Sequence, residues 1–168
     1  MIQRARILAL SATFIALIAV GSWLSIPLPP VPITLQTLFV LLAGIVMKRY
    51  GVIPVALYIL LGAIGLPIYH NGTAGPGILL GPTGGFLVGF IPAALVVGLV
   101  YEHKSPKLRM AGLFAATAVT YAFGVAWLSF SASLSIYQAI LIGVAPFVVG
   151  DIVKIAAAYT IGKRVETG

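Results

Sequence analysis

The stretch VVGDIVKIAA, residues 148–157, sets an aspartate and a lysine three positions apart in an otherwise apolar run. On a helix, residues three apart share a face, so Asp151 and Lys154 can meet. A carboxylate accepts hydrogen bonds and an ammonium donates them. Together they suit a small ligand that carries both donors and acceptors. Charges in hydrocarbon are costly, so such residues face a bundle interior or an aqueous cavity. Two other readings exist. A self-neutralising pair can reach outward to water. Gly150-Asp151 also matches half of a GxGD intramembrane protease site. That site fails because Val148 replaces its first glycine and no second membrane aspartate exists to share the proton. Proton-coupled transport would also call for more than one such residue. An outward-facing small-molecule pocket is the strongest reading.

Two connecting segments offer further groups. SIPLPPVPITLQT, residues 25–37, contains four prolines and cannot be helical throughout. Its stiffness suits a pre-organised wall, since little entropy is lost on binding. Thr34, Gln36 and Thr37 follow at the start of the next apolar run, and Gln36 both donates and accepts. The second segment, YHNGTAGPGILLGPTGG, residues 69–85, holds six glycines. Glycine permits close approach of backbone to a ligand. The segment is too apolar at Ile78-Leu79-Leu80 for a plain solvated linker, and it reads as a lid. It lacks the Gly-Lys-Ser/Thr of a phosphate loop. Asn71-Gly72-Thr73 matches a glycosylation sequon, but Asn71 reads better as a polar group within a binding loop.

The elements that position these residues must lie in a membrane. The 168 residues are 61% hydrophobic and 8% charged, with mean hydropathy +1.14. Soluble domains carry about 25% charged residues. The chain is therefore an all-α polytopic membrane protein, one membrane domain over residues 1–168. There are no cysteines, so disulfides and thiolate chemistry are excluded. His70 and His103 are too isolated to suggest a metal site. Nucleic-acid binding is disfavoured despite the net charge of +7, because the basic residues come in small clusters without interleaved aromatics.

Six apolar segments are expected, near 7–26, 33–47, 52–69, 85–101, 110–130 and 147–162. Gly51 supplies a tight turn between the second and third. Pro146 separates a short apolar helix near 135–144 from the final span. The first segment resembles a signal peptide, with Ala19-Val20-Gly21 as a cleavage site, yet an even span count needs it as a helix. Arg4, Arg6, Lys48, Arg49, Lys104, Lys107, Arg109, Lys163 and Arg164 all fall on one side of a six-span topology. The positive-inside rule makes that side cytoplasmic, with both termini inside. Ala12 and Ala16, preceded by Ala5 and Ala9, form small-xxx-small pairs that let another helix approach closely. Gly85 and Gly89 form a second such pair.

PVPITLQTL (30–38), GAIGLPIY (62–69), GPTGGFLVGF (81–90) and PFVVGDIVKIAAA (146–158) together resemble the BioY family. These are biotin-specific substrate-binding (S) components of energy-coupling factor (ECF) transporters. Val149 stands where the family often has proline. The resemblance implies a six-helix S-component bundle and an outward-facing biotin pocket capped by the first and third connections. It implies partnership with a transmembrane coupling (T) protein and two cytoplasmic ATPases in a prokaryotic plasma membrane, with Ala12 and Ala16 facing the coupling protein. No cofactor is expected. Biotin's ureido ring has two N–H donors and a carbonyl, and a buried site must pair each polar group. Asp151 can accept from the ring and Lys154 can donate to it, or Lys154 can pair with the carboxylate tail. Asn71 can do either, Gln36 or Thr34 can meet the tail, and Tyr69 and Tyr58 are candidate walls. An S component for another vitamin or a biotin precursor is the alternative. A membrane-embedded enzyme is disfavoured, since no base with a nucleophile or metal site is found.

Overall fold

The computed structural model describes residues 2–167, and side chains over 3–165. Each expected apolar segment contains a helix. The helices are α1 (Ile2–Trp23), α2 (Gln36–Met47), α3 (Val52–Ala63), α5 (Gly84–Val100), α6 (Pro106–Ser131) and α8 (Val148–Thr167). Two shorter helices, α4 (Pro76–Leu80) and α7 (Ile136–Gly143), lie in connections. The third segment is shorter than expected. Its helix stops at Ala63, because Gly65 turns the chain at φ 112° and Pro67 follows.

The run from Gln36 to Ala63 is apolar and long enough to cross a bilayer as one helix, yet it folds back on itself. Lys48 sits at φ 56° within the tight turn Lys48–Gly51. A Cβ on Gly51 would stand 2.5 Å from the Ala43 carbonyl oxygen. In a continuous helix those residues would be roughly 12 Å apart. Near the other end of the hairpin, the Gln36 amide donates to the Tyr58 hydroxyl at 2.7 Å. Each arm is about 18 Å long, against roughly 30 Å of hydrocarbon.

The paired glycines of α5 seat that helix on α6. A Cβ on Gly85 would meet Trp127 Cβ at 2.3 Å, and one on Gly89 would meet Phe123 Cβ at 3.0 Å. On the other side Gly98 lies against the Lys48 backbone. The core between helices is largely apolar, with Ile18, Val40, Ala43, Val55, Ala94, Val97 and Leu113 buried. Outward faces are apolar too: Phe130 is 78% and Val149 75% exposed. Water would penalise such a surface, whereas lipid tails solvate it at no cost.

The connections carry the irregular structure. β1 (Ser25–Ile26) pairs antiparallel with β2 (Ile33–Thr34), folding the proline-rich segment into a hairpin. The glycine-rich segment folds back as a cap, as expected of a lid. The Gly75 amide donates to the Gly62 carbonyl at 2.8 Å, and the Trp127 indole donates to the Gly81 carbonyl at 3.0 Å. The Trp23 indole reaches the Pro67 carbonyl, and Ser25 donates to Asn71 Oδ1 at 2.9 Å, so the two connections are joined. α7 begins at Ser135 with a reciprocal cap from Gln138. It meets α8 at a 56° bend just after Pro146.

The opposite end of the bundle is basic. Lys48 and Arg109 lie over the ring of Tyr101. Arg49 holds Glu102 through two hydrogen bonds of 2.7 and 2.8 Å. Gly162 abuts Ile45 and Tyr101, which brings the end of α8 to the same place. The Glu102 carboxyl, outside the spanning segments, is held below the usual range by its hydrogen bonds with Arg49.

Candidate functional site

The end of the bundle away from the basic cluster encloses a narrow cavity, with about 60 Å³ open to a water-sized molecule. The first connection contributes Val31, Pro32 and Thr34. α2 contributes Gln36 and Thr37, and the lid contributes Tyr69, His70 and Thr83. Phe86, Leu87 and Phe90 come from α5, Thr120 and Tyr121 from α6, and Phe147, Asp151 and Lys154 from α8 and the residue before it. The walls are largely aromatic and aliphatic, with polar groups converging from three helices, α2, α6 and α8, and from the two connections.

Asp151 and Lys154 form the polar centre. Both are buried, and Lys154 Nζ donates to Asp151 Oδ1 at 2.8 Å. The Tyr121 hydroxyl donates to Asp151 Oδ2 at 2.5 Å, and Thr37 Oγ1 stands 3.5 Å from Oδ1. Asp151 lies in the first turn of α8, where the helix dipole favours a negative charge. The ion pair is thus neutral overall, hydrogen-bonded and shielded from lipid. It does not snorkel: the pair lines the cavity. Each carboxylate oxygen can accept more than one hydrogen bond, and the ammonium has three donors. Capacity therefore remains for a ligand.

Gln36 lines the cavity and is held from behind. Its Nε2 donates to the Tyr58 hydroxyl, which in turn donates to the Ile68 carbonyl at 2.9 Å. Thr34 also lines the cavity, with Oγ1 accepting from the Gln36 amide at 3.3 Å. Tyr69 presents its ring while its hydroxyl donates to the Ile59 carbonyl at 2.6 Å. Two expected residues lie elsewhere. Tyr58 is fully buried behind Gln36, edge-on to Tyr69 at 5.6 Å, and does not reach the cavity. Asn71 is exposed in the lid, outside the cavity lining, with its Oδ1 engaged by Ser25.

Sequence reasoning missed Tyr121, Thr120, Phe86, Phe90 and Phe147. Tyr121 carried a signal. With Thr117 and Thr120 it makes a polar patch in a long apolar helix, and the argument applied to Asp151 fits it equally. The aromatics carried none, because phenylalanine is ordinary in a membrane span. His70 lines the mouth, and burial holds its imidazole below the usual histidine range.

On α1, Ala5, Ala9, Ala12 and Ala16 are all exposed, while Ser11, Phe14 and Ile18 face the core. The small residues therefore form a smooth outward stripe rather than an internal packing seam.

The fold and the site define a class: a helical membrane protein with a buried cavity into which a few fixed polar groups converge. The chain belongs to the BioY family, whose sequence profile matches residues 1–168. It is 47% identical over 155 residues to the biotin transporter BioY of Thermotoga maritima, covering 91% of each chain. It is 37% identical over 165 residues to the probable biotin transporter BioY of Pyrococcus horikoshii, covering 98% of each. Among solved structures it is similar to the S-component for biotin from an ECF-type ABC transporter. The TM-score there is 0.90 and the identity 26%, over 99% of this chain and 93% of the other. These relatives are transporter components, not enzymes.

Proposed function

We propose that this chain is the biotin-capture subunit of an ECF-type transporter in a prokaryotic plasma membrane. The observation that carries this is the buried Asp151–Lys154 pair, backed by Tyr121, facing a cavity walled by aromatic rings. A bicyclic ligand with an apolar sulfur ring and a polar ureido ring needs such a division of labour. Asp151 accepts from a ureido N–H. Lys154 donates to the ureido oxygen or pairs with the carboxylate tail. Gln36 or Thr34 meets the tail, and Tyr69 packs against the rings. Asn71 joins the ligand if the lid shifts and releases Ser25. Tyr58 acts through Gln36.

Six spans, α1, α2, α3, α5, α6 and α8, cross the membrane as one domain, with both termini on the cytoplasmic side. The short arms α2 and α3 are accommodated by local thinning of the bilayer and by the turns at their ends. The basic end of the bundle faces the cytoplasm and the cavity faces out. Ala12 and Ala16 pack against a transmembrane coupling protein, and two cytoplasmic ATPases supply the energy. No cofactor is required of this chain.

The test is to purify the full chain from cells grown with biotin, extract the bound small molecules, and titrate the stripped protein. Biotin recovered at near-equal molar amount supports the reading. Tight binding of a different vitamin or of a biotin precursor, with biotin ignored, moves the ligand assignment to that molecule.

A further inference from the structure

A second groove lies at the basic end of the bundle, between the start of α6 and the end of α8. It is lined by Pro106, Lys107, Met110, Ala111, Phe114 and Tyr159, and is shallow and open to the surroundings. Its chemistry is graded along its length. Pro106, Met110 and Phe114 follow at intervals of four, so they make one stripe along α6. Lys107 stands beside the outer end of that stripe. Phe114, 49% exposed, lies roughly 10 Å deeper. On α8, Tyr159 lies deeper and Lys163 one turn nearer the end, with its ammonium 4.7 Å from the Tyr159 ring centre. The two helices thus place their cations at the same end and their apolar residues at the other.

A groove that is cationic at the membrane surface and apolar inward complements one kind of molecule: an amphiphile with an anionic head and a hydrocarbon tail. We propose that this groove is a binding site for an anionic phospholipid. The headgroup phosphate sits between Lys107 and Lys163, and the first part of one acyl chain runs along Met110, Ala111 and Phe114. Basic recesses between helices, at the depth of the headgroups, favour such lipids over zwitterionic ones. Lysine stems lie along the apolar walls while the ammonium groups stay at the interface. The site is separate from the cavity near Asp151 and does not depend on which ligand that cavity takes.

The experiment uses the full-length protein in mild detergent with defined lipids, read by native mass spectrometry. Dioleoyl-phosphatidylglycerol is compared with dioleoyl-phosphatidylcholine. The parent is expected to retain the anionic lipid about tenfold better. Lys107→Glu with Lys163→Glu should erase that preference. Arg4→Glu with Arg6→Glu makes the same charge change on α1, outside the groove, and should keep it. Ala111→Trp, which fills the floor and leaves the lysines intact, should lower retention as well. If the paired glutamate variant fails to fold, Lys107→Gln with Lys163→Gln is read in the same way. Equal retention of the two lipids by the parent overturns the proposal. So does equal loss in the α1 variant, which would indicate a general charge effect. If the groove variants hold the lipid but no longer assemble with partner proteins, the groove is a protein contact and the lipid assignment falls.

Discussion

The Tyr121 hydroxyl donates to Asp151 Oδ2 at 2.5 Å, joining the middle of α6 to the first turn of α8. The bond uses one carboxylate oxygen, while Lys154 holds the other at 2.8 Å. The carboxylate is therefore aimed before any ligand arrives. Tyr121→Phe keeps the ring and removes the hydroxyl. A hydrogen bond to a charged group contributes about 1.5–3 kcal/mol. Biotin affinity should fall about tenfold to 150-fold, as measured by titration of purified protein. Parental affinity in this variant would show that Asp151 needs no such support.

Asp151 and Lys154 should act as a unit. Asp151→Asn leaves Lys154 buried without its counter-ion, and an unpaired buried charge costs several kcal/mol. Asp151→Asn and Lys154→Met should each weaken biotin binding by about 2–4 kcal/mol, roughly 30-fold to 1,000-fold. The double variant should lose less than the sum of the two. Binding within about threefold of the parent in both single variants would remove the pair from the site.

Gly62 is the seat of the lid's aromatic anchor. A Cβ there would stand 2.3 Å from Tyr69 Cζ, and the Gly62 carbonyl also receives the Gly75 amide. Gly62→Ala must displace the Tyr69 ring or the lid backbone. It should cost about 1–3 kcal/mol of stability, seen as a lower thermal midpoint, and it should weaken ligand binding. Gly77 faces open space at an ordinary φ, so Gly77→Ala should change stability by less than about 0.5 kcal/mol. Equal behaviour of the two variants would show that the lid is not seated as described.

Orientation can be read chemically, because the sequence has no cysteine to interfere. With the basic end inside, cysteines introduced at Lys48 and Lys104 should react only with a membrane-permeant thiol reagent. A cysteine at Thr73 should react with an impermeant one. Labelling of Lys48→Cys from outside intact cells would invert the topology.

The alanine stripe of α1 should matter to assembly and not to capture. Ala12→Trp with Ala16→Trp adds bulk on the exposed face, away from the cavity. Uptake and association with the coupling protein should be lost, while biotin binding by the isolated chain stays parental. Normal assembly and transport in this variant would free the stripe of that role.

By itself the sequence determined the solvent. A chain with 8% charged residues has too little polar surface for water, whatever its fold. Helix positions followed from apolar run length, because backbone groups in lipid must pair within their own segment. Asp151 and Lys154 stood out for the same reason, since a charge in an apolar helix is costly wherever the helix packs. Their separation of three residues made their contact a local matter. The tertiary structure decided what depends on contacts between distant segments. Tyr121 and Asp151 are thirty residues apart, and no spacing rule links α6 to α8. By type, Gln36 was expected to meet a ligand's tail and Tyr58 to form a wall of the pocket. Only the packing of α2 on α3 turned one toward the cavity and buried the other behind it. Asn71 was likewise a sound donor and acceptor by type, but Ser25 engages it outside the cavity. Composition and local geometry are properties of neighbours along the chain. Which side chain reaches a ligand is a property of how helices close around it, and that is set by steric fits such as Gly85 on Trp127 and Gly51 on Ala43.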